Sequence, residues 1–314
     1  MGTSAGEAGY FADDSMIRRV MRKRAVGLTY GLRALVVGAI NPLLYVGTAE
    51  HSAHRDSPYT RLATTGALFE AVFLGSKTEA DRALKFTKRK HASVVGTLPE
   101  NAGDAHPAGT PYSAFDPDLL FMTMAFTFES AMTMHDLLVR KLTDTERADL
   151  YSDFVRWGEL FGMPRNAAPL DYLAFDRFFQ AYLKSAELFL TDEARLVGSY
   201  LAGHKRAYRL QPPAEQVGSA LYLLVQGSLP ARVRGLYGMD WSLTDEVAFQ
   251  AFARGIRTAH VAPPLAPRVL ANALAGRSAP SYQLIARREQ RMIRAGRASM
   301  PGVDPRNWVQ RNSA

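Results

Sequence analysis

Apolar residues recur along most of the chain at helical spacing, and the alternating runs typical of strands are nearly absent. Start signals accompany this pattern: Ser57-Pro58 places a capping residue before a proline at the first helical position, and Thr143 with Glu146 has the spacing of a capping box. The pattern predicts helices over residues 12–25, 28–48, 58–74, 77–95, 117–141, 144–161, 168–187, 191–208, 213–227, 243–258 and 281–296.

These elements predict one all-α domain, a single globular multi-helix unit. We expect a flexible N-terminus over residues 1–11, the helical domain over residues 12–280 and a basic C-terminal arm over residues 281–314. Gly75, Gly96 and Gly162 each follow a periodic run and are expected to end helices.

Composition narrows the possible chemistry. Of 314 residues, 47% are hydrophobic and 22% are charged, as in an ordinary globular protein. There is no cysteine, which excludes disulfide scaffolds, thiolate metal sites and cysteine nucleophiles. Much of the net charge of +8 lies after residue 276, where eight arginines and two acids leave +6. No motif supports nucleic-acid binding by this arm. We therefore expect the arm to pack on the body or to contact an acidic partner.

The targeting signals and catalytic motifs that the sequence lacks exclude further classes of protein. The apolar stretches 34–47 and 119–134 are too short to span a membrane, and the N-terminus lacks the order of a secretory signal. We therefore expect a cytoplasmic protein with no membrane span. Phosphate-binding loops, the G-x-S-x-G elbow and H-E-x-x-H are missing, so nucleotide-binding, serine-hydrolase and zinc-protease functions have no support.

His91 is the first candidate for chemistry, because it continues an inward stripe of the helix over residues 77–95. Ala80, Leu84, Thr87 and Val94 share its face. A buried imidazole needs a hydrogen-bond partner or a metal. Two interpretations stay open: a core histidine satisfied by a carbonyl, or a metal ligand such as the axial imidazole of a haem iron.

Arg61 lies on the inward face of the preceding helix, together with Thr65. A buried guanidinium needs an anion or a fixed network, so a structural carboxylate or a haem propionate would satisfy it. Lys88 precedes His91 by one turn and either binds a propionate as well or extends its amine into solvent.

Several short motifs occur in an order and spacing typical of one family. They are His51-Ser52, Pro58, Arg61-Leu62 with Thr65, His91 with Val94 and Gly96, and blocks within residues 112–120, 158–164, 171–175 and 229–241. On these motifs, residues 15–290 resemble the latex-clearing-protein and MpaB-type oxygenases, a family long classified as a domain of unknown function.

The resemblance implies an all-α fold and, in the rubber-cleaving branch, a non-covalent b-type haem in a buried pocket. It places the proximal iron ligand at His91, a distal arginine at Arg61 and a basic cofactor contact at Lys88. Thr65 and His51 would line the distal side. In that branch oxygen attacks a carbon–carbon double bond of an isoprenoid chain.

Two departures from the family pattern affect the expected chemistry. Many members have His-Pro where this chain has Asn41-Pro42, and a histidine where it has Met124. We interpret Met124 as a core residue rather than a haem contact. Glu129 is either a distal acid or one partner of a structural ion pair with an arginine, and the ion pair is slightly favoured. His135 is expected to be exposed. His51 is either a distal donor or a local cap.

The main hypothesis is therefore a haem-dependent oxygenase, with haem b iron, O₂ and a small isoprenoid or natural-product substrate, and with an electron donor as a further candidate partner. The alternative is a non-catalytic haem- or hydrophobe-binding carrier or sensor. The apolar segment 119–134 would wall the pocket in both cases.

Overall fold

Helices build nearly all of the fold in the computed structural model, which describes residues 8–51, 57–206, 214–261 and 274–303. Within those ranges, two short strands form the sheet structure, and they pair antiparallel with Val95 opposite Ser113. The all-α class expected from the sequence is confirmed.

The elements follow one another in this order: α1 (Met16–Met21), α2 (Arg24–Gly38), α3 (Pro42–His51), α4 (Pro58–Leu74), α5 (Lys77–His91), β1 (Val95–Thr97), β2 (Pro111–Ser113), α6 (Pro117–Leu138), α7 (Asp144–Leu160), a 3₁₀ turn (Arg165–Ala167), α8 (Tyr172–Tyr182), α9 (Asp192–Leu201), α10 (Ala214–Ser228), α11 (Ala231–Tyr237), α12 (Leu243–Val261) and α13 (Ala279–Arg294).

The predicted continuous helix over residues 28–48 is wrong, because the chain turns sharply between α2 and α3. The two axes differ in direction by 106°. Pro42 has no backbone N–H and starts α3, and the Asn41 side-chain oxygen accepts from Leu44 N at 3.0 Å. In the described part of the chain no single helix could cross a membrane, although the bent pair α2–α3 reaches the required length and apolarity together.

Other boundaries also differ from the prediction. The expected helix over 12–25 divides at Arg22 and Lys23, and the one over 77–95 ends at His91, because residues 95–97 form β1 instead. Helix α11 was not predicted; it ends at Gly238, whose φ of 66° is the left-handed conformation that glycine adopts readily.

Helix α6 forms the centre of the core and packs against α2 and α7. Met124 and Phe128 on it are fully buried. Aromatic rings fill the space around it: Phe128 meets Phe154 of α7 edge-on at 5.5 Å, and Phe175 of α8 at 4.9 Å. Asp116 starts α6 by accepting from Asp118 N at 2.9 Å, as its capping motif predicts.

The basic C-terminal segment contributes a helix that lies along α4. Glu289 of α13 is 2% exposed and accepts from the backbone N–H groups of Tyr59 (3.0 Å) and Thr60 (2.5 Å). Gly66 lets α13 approach closely, since a Cβ there would be 2.7 Å from the Tyr282 ring. Ser57, the predicted capping residue of α4, makes no side-chain cap hydrogen bond, so Glu289 supplies this cap from a distant part of the chain.

Candidate functional site

Arg61 lies in the second turn of α4 and faces α3. Its guanidinium donates to Thr48 Oγ1 at 3.1 Å. Burial lowers its pKa, and the nearby Tyr45 acts in the opposite direction. In the described ranges no carboxylate lies within ion-pair distance of Arg61. An arginine stays cationic when buried, and a neighbouring anion would stabilise it.

His91 is the last residue of α5 and is half-buried. Its ring meets that of Phe115 edge-on, with centroids 6.0 Å apart. Burial lowers the pKa of His91, and the positive charge of Arg61 lowers it further. His91 and Arg61 are therefore neighbours, and His91 is neutral at neutral pH, which is the form in which an imidazole binds a metal.

The other residues of the His91 motif shape the surface beside it. A Cβ at Gly96 would lie 2.6 Å from the Tyr112 hydroxyl, so glycine is needed where β1 meets β2. The Tyr112 hydroxyl in turn is 3.1 Å from His51 Nε2. Val94 packs on α3, since a Cβ at Gly47 would lie 3.3 Å from it. Motifs separated in sequence thus meet at one place.

The remaining predicted site residues differ in their exposure. Thr65 is half-buried on α4, one turn after Arg61, whereas Lys88 and His51 are exposed. Thr87 lies one turn before His91 and its buried hydroxyl oxygen has no hydrogen-bond partner. Tyr45, Thr48 and Phe115 were not singled out from the sequence; their positions depend on how α3 and the β1–β2 pair fold onto α4 and α5.

The residues that depart from the family pattern, Asn41 and Met124, have structural roles. Asn41 caps α3 through its side chain, and Met124 is fully buried in the core next to Gly158. Glu129 forms an ion pair with Arg33, which confirms the favoured structural interpretation. His135 was expected to be exposed, and this was wrong: it is 4% exposed, because the end of α6 is covered by α1 and α12.

The residues around Arg61 and His91 include the donor types that a haem needs. The group requires a neutral imidazole for the iron and cationic or hydroxyl donors for the propionates. His91 is of the first kind, and Arg61 and the unpartnered Thr87 hydroxyl, one turn before His91, are of the second. Among described residues no group of three or more histidine or acidic side chains is arranged to hold a metal ion.

The fold and the site define an all-α protein with a half-buried histidine beside a buried arginine. Residues 18–258 match the family described as ER-bound oxygenase mpaB/B′/rubber oxygenase, catalytic domain. The match covers more than half of the chain, so the chain belongs to this oxygenase family, as its motifs predicted.

Relatives with curated sequences are similar over much of the chain. Two uncharacterized proteins, from Mycobacterium bovis and Mycobacterium tuberculosis, are each 25% identical to it over 203 residues. That region is 64% of this chain and 74% of each relative. No solved structure matches the chain.

Proposed function

We propose that this chain is a b-type haem-dependent oxygenase that acts on a small apolar substrate with O₂. The observation that carries the proposal is the pair formed by His91 and Arg61. A neutral, half-buried imidazole lies beside a buried guanidinium that has no carboxylate partner in the described ranges. Family membership supplies the reaction type, oxygenation.

Each site residue has a role that follows from its position. His91 would hold the iron, and the edge of Phe115 limits the rotation of its ring. Arg61 would neutralise a propionate, while Thr48 holds the guanidinium in place. When bound, the haem supplies activation of O₂ and oxidation of an electron-rich carbon. Lys88 is exposed, so its amine would reach a propionate only at the rim of the site.

Distal functions belong to residues near Arg61. Thr65 lies one turn further along α4 and offers a hydroxyl donor. His51 holds the Tyr112 hydroxyl and can pass a proton to or from it. The apolar side chains of α6, rich in Met and Phe, exclude water and suit an isoprenoid or natural-product substrate. An electron donor would be required if the iron must be reduced between turnovers.

Absorption spectra of the purified protein, oxidised and reduced, test this proposal. We expect a Soret band in the wild type that is lost or shifted in His91→Ala. The matched control is His204→Ala, because His204 is also a histidine but is exposed and lies outside the site; its spectrum should equal that of the wild type. Absence of a Soret band in the wild type after haem supplementation would contradict the proposal.

A non-catalytic haem- or hydrophobe-binding protein is the second candidate. It is favoured by Asn41 and Met124, which stand where many family members have histidine and which serve as a helix cap and a core residue here. Turnover of an alkene under O₂ with a reductant separates the two. Product formation that requires His91 supports the oxygenase, whereas haem binding without turnover supports the carrier.

A further inference from the structure

A cavity lies where α1, α6 and α12 meet, away from the elements that carry Arg61 and His91. Its volume is about 400 Å³. The polar side chains that line it are those of Arg19, Arg22, Lys23, His135, Arg140 and His260, and none of its lining residues within the described ranges is acidic.

Carboxylates outside the cavity neutralise only part of this charge. Glu146 holds Arg140 at 2.6 Å and Arg19 at 3.5 Å, and Asp13, itself 81% exposed, holds Arg22 at 2.8 Å. Lys23 has no ion-pair partner among the described residues. The C-terminal ends of α6 and α12 add about half a negative charge each. Asp136 also acts on Arg140, but it is itself paired with Arg147, so the cations of the cavity are only partly neutralised.

The start of α2 adds to the positive potential. Lys23 lines the cavity and is also the N-cap residue of α2, a helix of 15 residues. No side chain caps this end, and its first turn contains no acid. The chain at Ala275 pairs with Lys23 in an antiparallel bridge, so the start of α2 contributes the positive end of the helix dipole rather than free N–H donors.

Both histidines of the cavity have unused hydrogen-bonding capacity. His260 Nδ1 donates to the Ile256 carbonyl oxygen at 2.9 Å, and its buried Nε2 has no partner. His135 is only 4% exposed, and its Nδ1 has no partner either. A buried polar atom without a partner is costly. With Nδ1 as the donor, Nε2 of the uncharged His260 ring accepts, so an occupant with an O–H group would satisfy it.

We propose that this cavity binds the phosphoryl group of a small organic ligand. The described lining residues offer arginine and lysine donors and no side-chain carboxylate, which matches an oxyanion with several acceptor oxygens. A volume of about 400 Å³ is larger than one phosphoryl group needs, so the rest of the cavity takes the organic part.

Calorimetric titration with phenyl phosphate at constant ionic strength tests the site. We expect saturable one-to-one binding that is weakened about tenfold in Lys23→Gln, the loss of one charge-assisted contact. Lys141→Gln is the matched control: it removes the same charge one residue after Arg140, at an exposed position that does not line the cavity. Its affinity should stay within about twofold of the wild type.

A second variant distinguishes lost binding from a folding defect. Arg22→Gln should also weaken binding, and thermal unfolding checks that each variant is folded. Titration with inorganic phosphate shows whether the ligand is an organic phosphate ester or the free anion. Weaker binding than phenyl phosphate supports the ester, and equal binding supports the free anion in the same site. No saturable binding by the wild type, or equal weakening in Lys141→Gln, would overturn the proposal.

The pH dependence supplies a readout specific to His135. Burial first, and then the charges of Arg140 and Lys23, lower its pKa to about 4. A bound anion raises that pKa, so binding takes up a proton and affinity should increase as the pH falls from 7.5 to 5.5. Sulfate is the probe, since it does not titrate in this range.

His135→Gln should reduce this pH dependence. His260, Glu146 and Asp13 also lie around the cavity, but they are present in both proteins, so the difference between the two proteins belongs to His135. The same increase of affinity at low pH in wild type and variant would show that His135 does not contact the anion.

Discussion

Gly96 determines how closely β1 can approach Tyr112. The two residues face each other in the antiparallel pair, and the tyrosine ring lies across the position that a side chain would occupy. His51 depends on this arrangement, because its partner is the Tyr112 hydroxyl. One residue without a Cβ thus controls the contact between the end of α3 and the hairpin beside His91.

Replacing Gly96 by alanine should destabilise the protein by about 1–3 kcal/mol, because the new methyl group would overlap the Tyr112 hydroxyl. Urea unfolding measures the loss. Gly31→Ala is the control, since a Cβ at that helical position meets no atom within 4 Å; it should be neutral or stabilising by up to about 1 kcal/mol. Equal stability of Gly96→Ala and wild type would contradict the packing described.

At the scale of elements, α4 carries Arg61 but is completed by α13. The first backbone N–H groups of a helix have no partner within it, and Glu289 accepts from two of them. Its negative charge also lies at the positive end of the helix. The orientation of α4 at the candidate site therefore depends on a residue more than 200 positions later in the chain.

Removing the Glu289 carboxylate should lower stability by about 1–3 kcal/mol, because Tyr59 N and Thr60 N would lose their acceptor in a buried place. Glu289→Ala is compared with Glu187→Ala, an exposed glutamate. Guanidinium unfolding gives the free-energy difference, and amide hydrogen exchange at the start of α4 localises it. Unchanged exchange in Glu289→Ala would show that the cap does not hold this helix end.

At the scale of the whole molecule, Arg33 connects three helices through the core. It is 1% exposed; its guanidinium forms a two-bond ion pair with Glu129 of α6, with Nη2 to Oε1 at 2.9 Å. It also donates to Ser130 Oγ at 2.9 Å and to the Ser228 carbonyl oxygen at the end of α10 at 3.2 Å. The apolar α6 is thereby held in register with α2 and α10.

Breaking this pair should destabilise the fold by about 3–5 kcal/mol, because Glu129→Gln leaves the buried Arg33 charge without a counter-ion. The double variant Arg33→Met with Glu129→Met removes both charges and should recover much of the loss. Chemical denaturation of the double variant and of the single variants Arg33→Met and Glu129→Met measures the coupling. A double variant as unstable as the sum of both single changes would show that the pair acts only locally.

Local sequence determined the helical class, most helix starts and the family. Proline at the first turn, the Thr143–Glu146 capping box and periodic apolar positions act within a few residues, so they can be read without tertiary structure. The motif around His91 was visible for the same reason, and so was its place near the end of a helix.

Only the tertiary structure decided what surrounds those residues. The sharp turn before Pro42 brings Thr48 to Arg61, and the β1–β2 pair brings Tyr112 to His51. Two further contacts join segments that are distant in sequence: Glu289 caps α4, and Arg33 pairs with Glu129. The physical reason is that burial and charge pairing depend on which elements pack together, whereas capping and periodicity depend on neighbours along the chain.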